Sequence, residues 1–204
     1  MELISLKYAI FVIVLLVLYY CFPKKYRWYV LLAGSMAYYV IICKWYVLFI
    51  IFTICTTYGS TIWIDKLLKK QNAIVKSHKE DWDRQTRKDY KEKGRKKRVA
   101  VMLFALLCNF GILAFLKYIP YAGELGLLLP LGISFYTFQS MGYVMDVYRE
   151  IVEPEKNFLK VALFVSFFPQ IIQGPIAIYD KLAGQLYEGH SLRLENLQKG
   201  ALLV

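Results

Sequence analysis

Histidine is nearly missing from this chain: there are two, His78 and His190, in 204 residues. Imidazole titrates near neutrality and most often does acid–base work, so its scarcity removes the commonest catalytic device. His78 stands among Lys76, Lys79 and Glu80 and reads as a solvated surface residue. His190 follows a glycine in a polar connection and reads as structural or exposed. Cysteine is scarce too. Cys21, Cys43, Cys55 and Cys108 form no C-x-x-C pair, which excludes the usual zinc and redox patterns and predicts free thiols buried as small hydrophobes. There is no cluster of metal ligands, no G-x-S-x-G elbow, no Walker loop, no dinucleotide fingerprint and no internal repeat. The residues alone assign no catalytic group, no metal and no bound cofactor.

Acidic residues are also few, 15 against 26 Lys and Arg, for a net charge of +11. The excess is local. Residues 65–98 hold 14 basic and 6 acidic side chains, and Lys24, Lys25 and Arg27 add a second basic cluster. A nucleic-acid partner would want that charge on a recognisable folded module, and none is present. Basic segments beside apolar ones instead mark cytoplasmic loops and attract anionic headgroups, so the lipid bilayer is the partner this pattern names.

What the chain has in quantity is apolar length. It is 58% hydrophobic, with a mean hydropathy of +0.40. Uncharged windows run over 8–23, 28–43, 45–64, 99–116, 125–145 and 161–179; about 20 helical residues cross the hydrocarbon core. The reading is all-α: a multi-pass transmembrane bundle, with helices near 3–22, 28–43, 45–64, 99–116, 127–148 and 158–173. Glu2 and a lone Lys7 are unlike a basic leader, and no small-x-small site follows, so the first segment reads as a retained helix. With the amino terminus outside, 23–27, 65–98 and 149–157 all fall in the cytoplasm. Leu67, Leu68, Ile74 and Val75 recur at helical spacing, so the third helix is expected to continue along the membrane surface. A mobile basic loop should follow as far as Arg98.

Two stretches carry polar groups where hydrocarbon would not welcome them. Gly132, Gln139, Tyr143 and Asp146 share one helical face. In the last window Pro169 interrupts the helix and Gly174-Pro175 stops it, with Gln170 and Gln173 between the breakers. Such groups need protein partners or a cavity. Two alternatives stay open: a buried helix–helix seam with a kinked crossing helix, or a tunnel lined by Gln139, Tyr143, Asp146, Gln170 and Gln173 beside a broken or re-entrant helix. Asp146 and Arg149, at i and i+3, read as a helix-end ion pair. Ala201-Leu-Leu-Val204 opens an apolar run that predicts a helix cut short.

Three ordered motifs carry a resemblance. They are Asn109-Phe-Gly with Phe115-Leu-Lys-Tyr118, Leu129-Pro-Leu-Gly-Ile-Ser-Phe-Tyr-Thr-Phe-Gln139 with Asp146-Val-Tyr-Arg149, and Phe167-Phe-Pro-Gln-Ile-Ile-Gln-Gly-Pro-Ile176. Together with Tyr19-Tyr20, Pro23-Lys24, Arg27, Leu31-Leu32, Ser35 and Tyr38-Tyr39, the chain resembles the membrane-bound O-acyltransferase (MBOAT) family, in its alginate and polysaccharide O-acetylating branch. The resemblance implies that 1–204 is the amino-terminal part of one MBOAT domain with a central tunnel. It implies an acyl donor, acetyl-CoA or an acyl carrier, arriving as co-substrate from the cytoplasm. It further implies a polysaccharide acceptor and extracytoplasmic acetylation partner proteins, at a bacterial cell membrane. The family's key histidine lies in an apolar helix beyond the matched region. Neither histidine here fits its motif, so 1–204 alone is expected to be inactive. Rival readings are a transporter or channel fragment, for which no inverted second copy is visible, and a non-catalytic membrane scaffold.

Overall fold

The computed structural model describes residues 6–78, 81–118, 132–173 and 178–189. The Leu129-Pro-Leu131 start of the second motif, the Gly174-Pro175 stop, His190 and the apolar run Ala201–Val204 lie outside the described residues. Among those described, regular structure is helical throughout.

Helix α1, Leu6–Cys21, stops just short of Pro23, whose ring disfavours helical geometry in the residue before it. A single 3-10 turn follows and α2, Arg27–Cys43, begins. Arg27 fastens this hairpin: its Nε donates to the Phe22 carbonyl at 2.9 Å. Its guanidinium lies over the Tyr19 and Tyr20 rings at 5.3 and 5.2 Å. At Gly34 a Cβ would collide with the Leu15 side chain, so α1 and α2 approach through a missing methyl. The next turn falls on Lys44 at φ 47, a left-handed position with no glycine to relieve it, and so a turn with no composition signal.

The third and fourth helices depart from expectation. Helix α3 runs unbroken over Val47–Ser77, and α4 over Arg84–Tyr118. Helix α3 thus continues past residue 64 through Leu67, Leu68, Ile74 and Val75, as their spacing predicts, but the mobile loop expected from there to Arg98 is wrong, because α4 already begins at Arg84. The basic residues extend the two apolar helices into one antiparallel hairpin. Gln71, 6% exposed, explains it. Its Nε2 donates to the Lys91 carbonyl at 3.1 Å, and Gly94 sits so close that a Cβ would strike the Gln71 amide. Charge alone points to coil, yet Leu67, Leu68 and Gln71 give the hairpin an inner face.

Helix α5, Ile133–Tyr148, packs on both α3 and α4, and α3 also meets α6, Phe158–Ser166. A short α7, Phe168–Gln173, and α8, Tyr179–Tyr187, complete the order. Helix α3 is the central post. Its buried Thr53, Thr57, Ser60 and Thr61 face these neighbours, and the Ser60 and Thr61 hydroxyls donate back one turn along the helix. Thr56 also accepts from Asn109 Nδ2 of α4 at 2.9 Å. Large apolar side chains point outward instead, among them Ile41, Phe104 and Leu107 at 70%, 65% and 73% exposed. Two helical stretches, Lys24–Ser77 and Arg84–Tyr118, are long and apolar enough to cross a membrane by length and composition.

The cysteines correct another expectation. All four are free, but only Cys43 is buried; Cys21 and Cys55 are exposed and Cys108 is intermediate.

The hairpin makes a direct prediction. Backbone amides of 66–76 and 87–97 should exchange with deuterium orders of magnitude more slowly than free peptide, as ladder-bonded helix does. Exchange of both stretches within seconds would restore the mobile loop.

Candidate functional site

Two of the polar residues singled out in the sequence, Gln139 and Tyr143, pack beside α6, next to the gap between α6 and α7. Pro169 has no N–H to offer the Val165 carbonyl, and its ring would press on that same group, so α6 cannot run through. The chain leaves helical geometry at Phe167, ψ 105. It restarts with Phe167 as cap, its carbonyl accepting from Gln170 and Ile171 at 3.1 and 3.2 Å. Pro169 then falls in the first turn of α7, where a missing donor costs nothing.

The break frees two backbone groups that a continuous helix would have joined. One is the Phe168 amide, which donates to Ser35 Oγ of α2 at 3.4 Å. The other is the Phe164 carbonyl, which accepts from Gln139 Nε2 of α5 at 2.9 Å. Ser35 is fully buried and Gln139 is 3% exposed. Each helix beside the break thus supplies one partner. Phe168 itself packs among Tyr8, Phe11 and Tyr38, with ring centroids 5.3–6.3 Å away.

The stripe on α5 faces this same seam. Gly132 caps α5 at φ 70, and a Cβ there would lie 2.7 Å from the Ile171 carbonyl oxygen of α7. Glycine is required on both counts. Tyr143, buried at 1%, stacks on Tyr179 of α8 at 4.1 Å and meets Phe164 edge-on. Its hydroxyl accepts from the Glu155 amide at 2.8 Å.

Above Tyr143, at the end of the bundle where α5 and α6 are joined, a second polar group assembles. The Glu155 carboxylate accepts from the Asn157 amide at 3.0 Å and lies 3.7 Å from Lys160 Nζ. Lys160 Nζ sits 4.8 Å over the Tyr187 ring, while the Tyr187 hydroxyl donates to the Lys160 carbonyl at 2.8 Å. Burial pushes the Tyr187 phenol well above its usual range, so it stays a neutral donor. Nearby, Arg98 Nη1 of α4 pairs with Glu150 at 2.8 Å, and Glu150 takes a left-handed φ of 63. Tyr58 donates to the Lys156 carbonyl at 2.9 Å, and Gly189 lies against Lys24. The segments around 24, 98, 150 and 156 therefore gather at one end of the bundle.

Of the five residues read as tunnel-lining, the structure brings Gln139 and Tyr143 into one packed seam and gives both backbone partners. Asp146 is partly exposed near the end of α5, and Gln170 is partly exposed on α7. The Gln173 side chain lies outside the described residues. The ion pair expected between Asp146 and Arg149 is not formed; the pair that does form joins Arg98 to Glu150. The sequence pattern marks Ser35 only as one of the residues that carry the resemblance, not as a partner, and gives no sign of the cluster of Glu155, Lys160, Tyr179 and Tyr187. Arg98, the last charge before an apolar window, was the one available signal for the ion pair. His78 is exposed as expected, stacked on Trp82 at 4.8 Å with Nδ1 3.1 Å from the Ile74 carbonyl. Among the described residues no three His, Cys, Asp or Glu side chains converge as a metal site would require.

Comparison with known proteins adds what this geometry cannot. The chain is 46% identical over 59 residues to the probable alginate O-acetylase AlgI of Pseudomonas aeruginosa, covering 29% of this chain and 11% of that protein. It is 40% identical over 74 residues to the AlgI of Pseudomonas syringae pv. tomato, covering 36% of this chain and 14% of the relative. It is 29% identical over 140 residues to a peptidoglycan O-acetyltransferase of Helicobacter pylori, covering 50% and 27%. The chain thus spans 11–27% of the length of these relatives. These relatives bear out the resemblance to polysaccharide O-acetylating proteins drawn from the motifs. No family model matches the chain, and no solved structure does.

The seam is testable by substitution. Gln139→Leu keeps the volume but leaves the Phe164 carbonyl unbonded in an apolar interior, which should cost about 1–3 kcal/mol. Ser35→Ala should cost less, because its bond is long. Gly132→Ala should be destabilising through both its φ and the Ile171 carbonyl. Thermal unfolding of the detergent-solubilised protein checks the order; an unchanged midpoint for Gln139→Leu would show that the break does not need its amide.

Proposed function

We propose that the chain spans a bacterial cell membrane several times and forms part of an O-acetyltransferase acting on a polysaccharide such as alginate or a related glycan. The observation that carries this reading is the 40–46% identity to proteins named as alginate O-acetylases. The bundle is built consistently with it. Its outer surface is apolar along α1 and on α3 and α4, as a protein dissolved in hydrocarbon requires. The charged segments collect at one end, where positive side chains would face the cytoplasm.

Within that reading the described residues position rather than react. Gln139, Ser35 and Gly132 hold a helix open at Phe167, and Tyr143 ties that seam to the cluster around Glu155. None of these is a nucleophile or a base poised near neutrality. The chemistry is assigned to a histidine outside this matched region. The acyl donor is acetyl-CoA or an acyl carrier taken from the cytoplasmic side, and extracytoplasmic partner proteins hand the group to the glycan. No observation favours a transporter: no second broken helix mirrors the one at Phe167 among the described residues.

Two measurements test the proposal. Single cysteines placed in a cysteine-free background at Gln85 and Lys156 should be shielded from an impermeant reagent added outside cells, while one at Trp45, 84% exposed at the opposite end, should react. Strong outside labelling at Gln85 would invert the orientation. Expression of residues 1–204 with the partner proteins should leave O-acetyl esters on the surface polysaccharide at the level of a strain lacking the gene. Restored esters would refute the assignment of catalysis to a region beyond this one.

A further inference from the structure

The basic hairpin carries a groove that the proposed acetyl transfer does not use. On one side of the α3–α4 pair, Leu67, Lys70, Gln71, Tyr90, Lys93 and Lys97 enclose a cleft of about 490 Å³. Directly toward the apolar part of the bundle lies a second cleft of about 460 Å³, walled by Trp63, Ala100, Val101 and Phe104. Leu67 and Lys97 line both clefts, so they form one continuous groove. Its two halves differ in chemistry. The outer half also includes Lys96, which makes four lysines and no carboxylate; Lys96 is partly neutralised by Glu92 at 3.2 Å. The inner half has Lys97 as its single charge.

The register of the hairpin creates this division. Thr56 meets Asn109, and Gln71 meets Gly94, so α3 and α4 run antiparallel with their apolar and basic parts side by side. Lys93, Lys97, Val101 and Phe104 recur at helical spacing along α4, as Trp63, Leu67 and Lys70 do along α3. Trp63 and Phe104 are exposed at 58% and 65%, large rings left uncovered beside a cationic recess. Gly94 keeps the recess open at its floor, because a side chain there would push into the Gln71 amide.

We propose that this groove holds one anionic phospholipid, its phosphate against Lys70, Lys93 and Lys97 and an acyl chain along Trp63, Val101 and Phe104. The occupant follows from charge and polarity in sequence: a cationic end free of carboxylates continues into an apolar wall, as a headgroup continues into its chain. A soluble phosphate would satisfy only the first half and a zwitterionic lipid would oppose the lysines with its own ammonium. The inference rests on the reading that α3 and α4 cross a bilayer; it does not depend on acetyl transfer.

Trp63 is the reporter. In the full-length protein with Trp28, Trp45, Trp82 and any tryptophan beyond residue 204 changed to Phe, reconstituted in nanodiscs of phosphatidylcholine, brominated phosphatidylglycerol should quench Trp63 at a concentration on the order of tenfold lower than brominated phosphatidylethanolamine. The K70Q/K93Q/K97Q variant should lose that preference, whereas K66Q/K76Q/K88Q, which removes the same charge from the hairpin outside the groove, should keep it. Equal quenching by the two lipids in the unaltered groove overturns the site while leaving the bilayer reading intact. Equal loss in both lysine variants also overturns it, replacing a site by diffuse attraction. Absence of quenching by either lipid overturns the site and the bilayer placement of α3 together.

Discussion

A peptide group without a partner inside an apolar bundle is the constraint around which this structure is arranged. In water the amide of Phe168 and the carbonyl of Phe164 would each find a solvent molecule. Surrounded by aromatic and aliphatic side chains, each must be bonded by another helix or cost on the order of several kcal/mol. Pro169 makes the problem unavoidable, and the bundle solves it at two points with Ser35 and Gln139. Those two bonds fix the position of α6 between α2 and α5. Around them small residues must sit where helices come closest, which is why Gly34 and Gly132 occur where they do.

The same bonds tie distant parts of the chain to one another. Gln139 belongs to the stripe that continues through Tyr143 to Glu155 and, by way of Lys160, to Tyr187 on α8. The break and the charged end of the bundle are thus joined by contiguous contacts. Arg98 and Glu150 join α4 to that end from the other side. The bundle thus carries a chain of bonded polar groups through a hydrophobic core, while large apolar side chains cover much of its outer surface.

Pro169 could be read in the sequence as a breaker, because its effect depends only on its own ring and the four residues before it. The partners could not. Ser35 lies 133 residues from Phe168, and Gln139 lies 25 from Phe164; such pairings depend on helix order and rotation, which a local pattern does not encode. The stripe of Gly132, Gln139 and Tyr143 was legible as an inward face, but the choice between seam and tunnel needed the identity of the opposite wall. The basic hairpin was misread for a different reason. A run of charges signals exposure but not disorder, and Gln71, Gly94 and Arg98 supply an inner face that a charge count hides. Lys44 shows the limit from the other direction: a turn placed on a lysine with positive φ leaves no composition signal at all.

The hairpin also has a mechanical meaning. At about 1.5 Å per residue, the 31 residues of α3 and 35 of α4 reach roughly 46 and 52 Å, against a hydrocarbon core of about 30 Å. Set across a bilayer, the two helices must project beyond it. Because Gln71 and Gly94 clamp them together in the projecting part, the projection is a strut rather than a tether. A tether would let anything attached to its tip wander through a sphere. A strut holds its far end at a fixed height and rotation above the surface, so His78 and Trp82, stacked on each other there, keep a set place relative to the broken helix below.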